Sequence, residues 1–466
     1  MKLSQLAERV NGDLLGKDCL FEKISTDTRH LEPGDAFLAL RGKNFDGHNY
    51  ALQALEKGAC AVIVEKACGS ESASQLIVND ACKTLGQAGA IKREQFFAPV
   101  IAITGSSGKT TVKGMLSSIL SCHGRVLATR GNFNNHIGVP LTLLGLAADY
   151  QYAVVEAGTS GSGEIAYLSD LIQPEVALVN NVMPAHMEGF GSEQRIAEEK
   201  SALYTGNRLH TGVVNLQDKF ATLFMDKLST KDIMGYALAC DEVELRSCRQ
   251  LMVPPVTASV IALLGNKDAC SRYSFTLLSG ERFMAGSLNV PGVHNVKNAV
   301  AAAACALAVN ISLETIVAGL AAFKGDNGRM QLKPSDRCRV LVDDSYNANP
   351  GSMKAAISYL SDFSSAVLIA GDMAELGASA EAEHFAVGQY ARRSGIRKVF
   401  AVGNLSAALA KGFGDGAHWF EDQPCLLESL KGQDLRSSEV LVKGSRSSKM
   451  ENIVRQLQKS EGESSC

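Results

Sequence analysis

Lys109 and Thr110 close a run of small residues, Thr104-Gly105-Ser106-Ser107-Gly108-Lys109-Thr110-Thr111, that has the chemistry to hold a nucleotide phosphate. The lysine offers a cation to the outer phosphates, and the Thr110 hydroxyl is a hard oxygen suited to Mg²⁺. Backbone N–H groups from Gly105 to Thr111 point inward when a helix starts at this place, and the helix N-terminus adds positive potential. Such a cradle needs a strand before it and a helix behind it. Pro99–Ile103 is an apolar run of strand length, and Val112, Met115, Leu116, Ile119 and Leu120 recur at helical spacing. The standard phosphate loop has a glycine where this chain has Ile103, so the loop is shorter and opens at Gly105.

A Mg²⁺-nucleotide asks for further hard ligands. Glu156 closes the apolar stretch Ala153–Val155, where a charge is costly unless it faces a site, and is expected beside the metal. His186 lies in the irregular segment NNVMPAHMEGFGS (180–192), as a solvated loop histidine or as a neutral imidazole near a second metal. Lys200, in the helical stretch EQRIAEEKSALY, reads from its neighbours alone as a surface lysine. Arg329 follows the flexible GDNG at 325–328, where it either reaches across a domain boundary to the phosphates or is a linker charge. Two metals and a nucleotide suit phosphoryl transfer to a carboxylate or hydroxyl, done by positioning and charge stabilisation.

The elements that must place these groups fall into three α/β units. The first, residues 1–98, pairs a helix at 3–10 with strands at 36–40 and 61–64 and a helix at 51–57. It has no catalytic constellation, but Ser25, Thr26, Asp27, Arg29 and Arg41 either hold a charged ligand or cap ordinary turns. The second, 99–328, has strand candidates at 126–128, 153–156, 176–180 and 212–215 and predicts a mainly parallel sheet with helices on both faces. Polar residues gather at those strand ends, where ligands bind in such folds. From 219 to 290 the pattern weakens into short antiparallel strands around Tyr273 to Leu278, before an alanine-rich helix within 291–309. The third unit, 329–466, alternates strands at 340–343, 366–370, 398–402 and 439–442 with helices, a Rossmann-like open α/β sheet.

Composition narrows the classes. Among 466 residues, 46% hydrophobic and 20% charged content describes a soluble globular chain, and a net charge of -3 argues against a general nucleic-acid binder. No signal peptide is visible, and the apolar run 299–309 is too short to span a bilayer. The 12 cysteines show no C-x-x-C pair, which suggests reduced thiols in a cytoplasmic protein.

With these residues in view, the chain resembles the Mur ligase family of ATP-dependent peptidoglycan-precursor ligases over essentially its whole length. The resemblance rests on TGSSGKTT (104–111), TRGNFNNHIGVPLTLL (129–144), VVEAG (154–158), NVMPAHMEGFGS (181–192), GVHNVKNAVAAAA (292–304), GRM (328–330), DDSYNANPGSMKAA (343–356), GDMAELG (371–377) and VKGSR (442–446). RGNFNNHIGVP, AHMEGFGS, DDSYNANP and GDMAELG resemble the branch that adds D-alanyl-D-alanine. Serines at 106 and 107, Ala157, and Thr159-Ser160 depart from the usual pattern without removing a group the chemistry needs.

The resemblance implies amide formation. ATP phosphorylates the terminal carboxylate of a UDP-N-acetylmuramoyl-tripeptide, and the amine of D-alanyl-D-alanine attacks the acyl phosphate. It implies Lys109 and Thr110 on the phosphates and first Mg²⁺, Glu156 at that metal, and His186 at a second Mg²⁺ with Lys200 as a carbamate. Asn295 and Asn298 would meet the adenine side, and Arg329 and Asp344 would contact the nucleotide from the third domain. Asn134, Asn135 and His136, with Tyr346, Asn347 and Asn349, would contact substrates, and Ser25, Thr26, Arg29 and Arg41 would hold the uridine diphosphate. A monomer closing over ATP at hinges near 98 and 325–329 is expected. The rivals are a sister or folylpolyglutamate-type ligase adding one amino acid, and a phosphate-loop regulatory module without ligase activity.

Overall fold

Pro99–Ile103 becomes the strand Val100–Thr104, whose β-branched residues are buried on both faces. The computed structural model describes residues 1–42, 45–69, 73–183 and 187–458. Behind the strand, the helix Lys109–Ser121 lays Val112, Met115, Leu116, Ile119 and Leu120 on the sheet, all fully buried. Helix Val293–Ala308 packs beside it through its alanines. Helix Leu313–Ala322 comes so close that a Cβ on Gly319 would lie 2.3 Å from the Ile119 Cα.

Among the described residues three sheets form. The central nine-stranded sheet runs Arg282–Ser287, Tyr273–Ser279, Ala258–Lys267, Asp232–Ala239, Thr211–Asn215, Val176–Val179, Val100–Thr104, Tyr152–Glu156, Val126–Ala128. Val100–Thr104 sits between Val176–Val179 and Tyr152–Glu156, parallel to both. The chain leaves it toward one side of the sheet and returns on the other, so the phosphate loop hangs at a topological switch point, where a crevice opens.

The antiparallel strand expected around Tyr273 to Leu278 is present, but the weak pattern before it hides regular structure. Asp232–Ala239 and Ala258–Lys267 are long strands that extend the parallel sheet, joined by helix Glu242–Leu251. Only the hairpin Tyr273–Ser279 with Arg282–Ser287 is antiparallel. Gly235 and Tyr236 interrupt the apolar signal for tertiary reasons: Leu216 lies over the glycine, and the tyrosine hydroxyl reaches Asn180 at 3.0 Å.

The N-terminal sheet of five strands runs Asp13–Leu15, Gln75–Ile77, Ala61–Val64, Ala36–Leu38, Ile24–Ser25. Its helix Ala81–Glu94 packs on the central helices Gly138–Leu144 and Glu164–Ile172. There Arg93 is fully buried and donates to the carbonyls of Phe96, Ile172 and Gln173, each at 2.7 Å, and to Glu175 at 2.5 Å. The third sheet, of six strands, runs Gln331–Lys333, Val340–Asp344, Glu439–Lys443, Ala366–Gly371, Lys398–Val402, Ala417–Phe420, parallel except for the first pair. Segment 325–328 is packed rather than loose: Arg329 N–H donates to the Asp326 carbonyl at 3.1 Å, and a Cβ on Gly114 would meet the Asp326 carboxylate at 2.8 Å.

Candidate active site

A cleft of about 940 Å³ lies at the carboxyl ends of the central strands and is roofed by strand ends of the third sheet. Its floor is the phosphate loop. Gly108 adopts φ 77°, and a Cβ there would lie 2.5 Å from the Asn298 Oδ1, so glycine is required on both counts. Ser106 and Ser107, where the family pattern differs, stitch the loop to the neighbouring strand end. Ser106 N–H donates to the Asn181 carbonyl at 3.0 Å, its hydroxyl exchanges bonds with Met183, and Ser107 N–H donates to Asn181 Oδ1 at 2.9 Å.

Lys109 folds back onto the loop, its Nζ donating to the Gly105 carbonyl at 2.8 Å. Burial lowers its pKa first; Glu156 and Glu375 oppose that, and Arg329 adds to it. Thr110 Oγ1 donates to Glu156 Oε2 at 3.1 Å, and Asn134 Nδ2 donates to Oε1 at 2.8 Å. Glu156 is buried, as its strand-end position requires, and Lys113 Nζ stands 3.7 Å from Oε2.

Asn295 and Asn298 anchor the near side through an amide chain. Asn298 Nδ2 donates to Asn295 Oδ1 at 3.3 Å, and Asn180 Nδ2 donates to Asn298 Oδ1 at 3.2 Å. From the third sheet, Asp344 accepts Met330 N–H at 3.1 Å and the buried Lys443 ammonium at 2.5 Å. Arg329 lies over the Tyr346 ring, 4.3 Å from its centroid. The Asn347 carbonyl accepts from Lys443 at 3.0 Å, and Asn349 caps helix Pro350–Leu360 with Ser352 in a capping box. His136, Asn135 and Thr111 also line the cleft, Asn135 with its Oδ1 on the Gly138 N–H at 2.9 Å.

Lys200 is not the surface lysine its neighbours suggest. Helix Glu193–Ser201 turns Ile196, Ala197, Lys200 and Ser201 inward, and Lys200 is 2% exposed. Burial and then the charge of Lys109 push its pKa down to about 7. It stands behind the cleft wall rather than on it. His186 falls outside the described residues.

The cleft does not gather Ser25, Thr26, Arg29 or Arg41. Ser25 donates to the Asp27 carbonyl at 2.9 Å, Arg29 pairs with Asp27 at 2.6 Å, and Arg41 pairs with Asp46 at 3.1 Å. Thr26 is half-buried on the same strand end.

Sequence reasoning passed over several groups. Lys113 lies one helical turn after Lys109 and so shares its face, which was a usable signal. Asp326, pushed up to about 6 by burial, and His294, pushed down to about 4 by burial, had none short of the fold. Lys443 stands in a quoted motif whose buried partner, Asp344, is distant in sequence.

Family models match the chain in three places: Mur ligase family, catalytic domain, at 21–91; Mur ligase middle domain at 103–306; and Mur ligase, glutamate ligase domain, at 328–446. The UDP-N-acetylmuramoyl-tripeptide–D-alanyl-D-alanine ligase of Escherichia coli (strain K12) is 41% identical over 461 residues, 98% of each chain. The crystal structure of MurF from Acinetobacter baumannii superposes with a TM-score of 0.86 at 36% identity, covering 97% of this chain and 98% of that one. MurF ligase from Thermotoga maritima, solved in complex with ADP, shares the fold at a TM-score of 0.76 and 24% identity, covering 93% and 96%.

Proposed function

The chain belongs to the Mur ligase family, and from that premise we infer that it joins D-alanyl-D-alanine to a UDP-N-acetylmuramoyl-tripeptide, converting ATP to ADP and phosphate. The identity of 41% along the whole chain with an enzyme of that name supports the reaction. The observation that carries it in the structure is the facing of two walls: Lys109, Thr110 and Glu156 on the switch-point side, Arg329, Asp344 and Tyr346 on the other.

In this reading the phosphates of ATP lie on the loop N–H groups, with Lys109 released from Gly105 to the terminal phosphates. Asn295 and Asn298 face the adenine, and Asp344 with Arg329 meets the nucleotide from the third domain. The Thr110 hydroxyl and Glu156 carboxylate are the hard oxygens that Mg²⁺ accepts, and phosphate oxygens and water complete such a set, so these residues fit the ion. When bound, Mg²⁺ supplies positive charge to the terminal phosphate. A second ion would be held by His186 and by Lys200 as its carbamate, which requires the neutral amine that burial favours.

The tripeptide's terminal carboxylate attacks the terminal phosphorus, ADP leaves, and the dipeptide amine displaces phosphate from the acyl carbon. Asn134, Asn135 and His136 border the tripeptide, and Tyr346, Asn347 and Asn349 the dipeptide. Residues 1–98 bind the uridine diphosphate through Ser25, Thr26, Arg29 and Arg41, 99–328 bind ATP, and 329–466 close over it. Closure keeps water from the acyl phosphate. All these groups come from one chain, so a monomer suffices. Among the described residues, no helix is long and apolar enough to cross a membrane.

The test is ADP release with Mg²⁺ and ATP, omitting in turn the UDP-tripeptide and D-alanyl-D-alanine, with product mass read in parallel. Turnover needing both, and a product heavier by the dipeptide less one water, is expected. Turnover with neither overturns the reading. A ¹³C carbamate resonance after labelled bicarbonate, absent in Lys200→Ala, tests the modification.

A further inference from the structure

Asn295 and Asn298 belong to a longer line of polar side chains, each of them buried in the cleft wall. It begins on the strand Asp232–Ala239, where the Tyr236 hydroxyl donates to the Asn180 carbonyl and to Asn180 Oδ1, each at 3.0 Å. Asn180, at the end of the strand Val176–Val179, donates from Nδ2 to the Ser107 carbonyl at 3.0 Å and to Asn298 Oδ1 at 3.2 Å. On helix Val293–Ala308, Asn298 Nδ2 donates to Asn295 Oδ1 at 3.3 Å, and Asn295 Nδ2 donates to the Pro291 carbonyl at 2.7 Å.

A side-chain amide turned end for end keeps its shape but exchanges donor for acceptor, so its neighbours decide which way it faces. Here carbonyls decide, because a carbonyl only accepts. Ser107 requires the NH₂ of Asn180, and Pro291 requires the NH₂ of Asn295. Asn298, between them, must turn its oxygen to Asn180 and its NH₂ to Asn295. Tyr236 engages the Asn180 oxygen and holds the first amide in place.

Among the described residues, Asn295 accepts one bond on Oδ1 and gives one from Nδ2, which leaves it one acceptor place and one N–H. That pair complements adenine, whose 6-amino group donates and whose N7 accepts. A purine with a carbonyl at position 6 presents two acceptors, so Oδ1 would face an oxygen with no hydrogen between them.

We propose that Asn180 and Tyr236 are positioning residues that lock the direction of this amide line and so make the site select a 6-amino purine over a 6-oxo purine. The proposal rests on the ligase reading above, which puts adenine beside Asn295. Both residues act through Asn298 and Asn295. Without Asn180, the direction rests on the Pro291 carbonyl alone, and a turned Asn295 offers its NH₂ to the 6-carbonyl.

The experiment measures calorimetric binding of ADP and of inosine diphosphate to the full chain. Turnover is read in parallel with the two triphosphates, Mg²⁺, UDP-tripeptide and D-alanyl-D-alanine. The unsubstituted chain is expected to prefer the adenine nucleotide at least about tenfold. Asn180→Ala should weaken both nucleotides, since the phosphate loop loses a bond at Ser107, and should bring the preference to within about threefold of parity. Tyr236→Phe keeps the ring in the core and should narrow the preference by less, and it repeats the test if Asn180→Ala fails to fold. Equal binding of both nucleotides by the unsubstituted chain would overturn the proposal alone, as would variants that weaken both by the same factor. Absence of ADP binding to the unsubstituted chain would overturn the ligase reading and this proposal with it.

Discussion

Asn134 holds one oxygen of Glu156 at 2.8 Å while Thr110 holds the other at 3.1 Å, so the buried carboxylate is fixed from a loop and from the first turn of helix Lys109–Ser121. Asn134 lines the cleft and also orients Glu156, a second role beside the substrate contact proposed for it. Removing the hydrogen-bond partner of a metal-binding side chain commonly costs about 10–100-fold in metal affinity, and here it leaves a buried charged oxygen short of a bond. Asn134→Ala is expected to raise the Mg²⁺ concentration for half-maximal ADP release about tenfold. Asn134→Asp should be worse, because it sets like charges together. An unmoved Mg²⁺ dependence with a raised KM for UDP-tripeptide would leave Asn134 to the substrate alone.

Arg329 rests over the Tyr346 ring rather than in solvent, which preorganises its guanidinium at the mouth of the third domain. Arg329→Ala should lower kcat about 100-fold, as loss of a preorganised charge does, while calorimetric binding of the UDP-substrate to the first domain changes little. Tyr346→Leu should show a smaller loss of the same kind. Equal loss of binding and turnover in Arg329→Ala would remove it from the nucleotide.

Lys200 makes a stability prediction whose sign follows from its pKa of about 7 in the fold against an ordinary 10.5. Between those values the unfolded chain binds the extra proton and the folded chain does not, so stability rises with pH across that window and is lowest below it. In buffer free of carbon dioxide, Lys200→Met should melt above the unsubstituted chain at pH 6, and the advantage should shrink by pH 9. An advantage independent of pH would show that the ammonium is not what burial opposes.

The strand Val100–Thr104 and its helix were legible because burial on two faces and on one stripe each leaves a plain period in the sequence. Asp232–Ala239 was not, because Gly235 makes room for Leu216 and Tyr236 places its hydroxyl on Asn180, both contacts between distant segments. Lys200 was half legible. Counting four residues from Ile196 puts it on the inner face, but its charge argues the other way until Lys109 and the cleft are in place. Asp326 and Glu375 depend on how loops fold back, which no local pattern encodes.

The two joints of the molecule are built differently, and that sets the last prediction. At the first, Arg93 is fully buried with four acceptors, one of them Glu175, whose other oxygen takes the Val100 N–H at 2.8 Å. At the second, Lys267 and Ser271 of the central unit meet Asp362 at 2.7 and 2.8 Å in a pair whose side chains are 44% and 28% exposed. Breaking a buried pair leaves an uncompensated charge and costs about 3–5 kcal/mol, whereas an exposed pair is worth about 0–1 kcal/mol. Arg93→Ala should therefore lower hydrogen-exchange protection of helix Ala81–Glu94 by about 3 kcal/mol or more. Asp362→Ala should leave protection within about 1 kcal/mol. It should instead loosen the seating of the third unit, seen as a larger radius of gyration by solution scattering without ATP and recovery when ATP and the UDP-tripeptide are bound. If Asp362→Ala destabilises as much as Arg93→Ala, both joints are fixed, and closure over ATP must come from elsewhere in the chain.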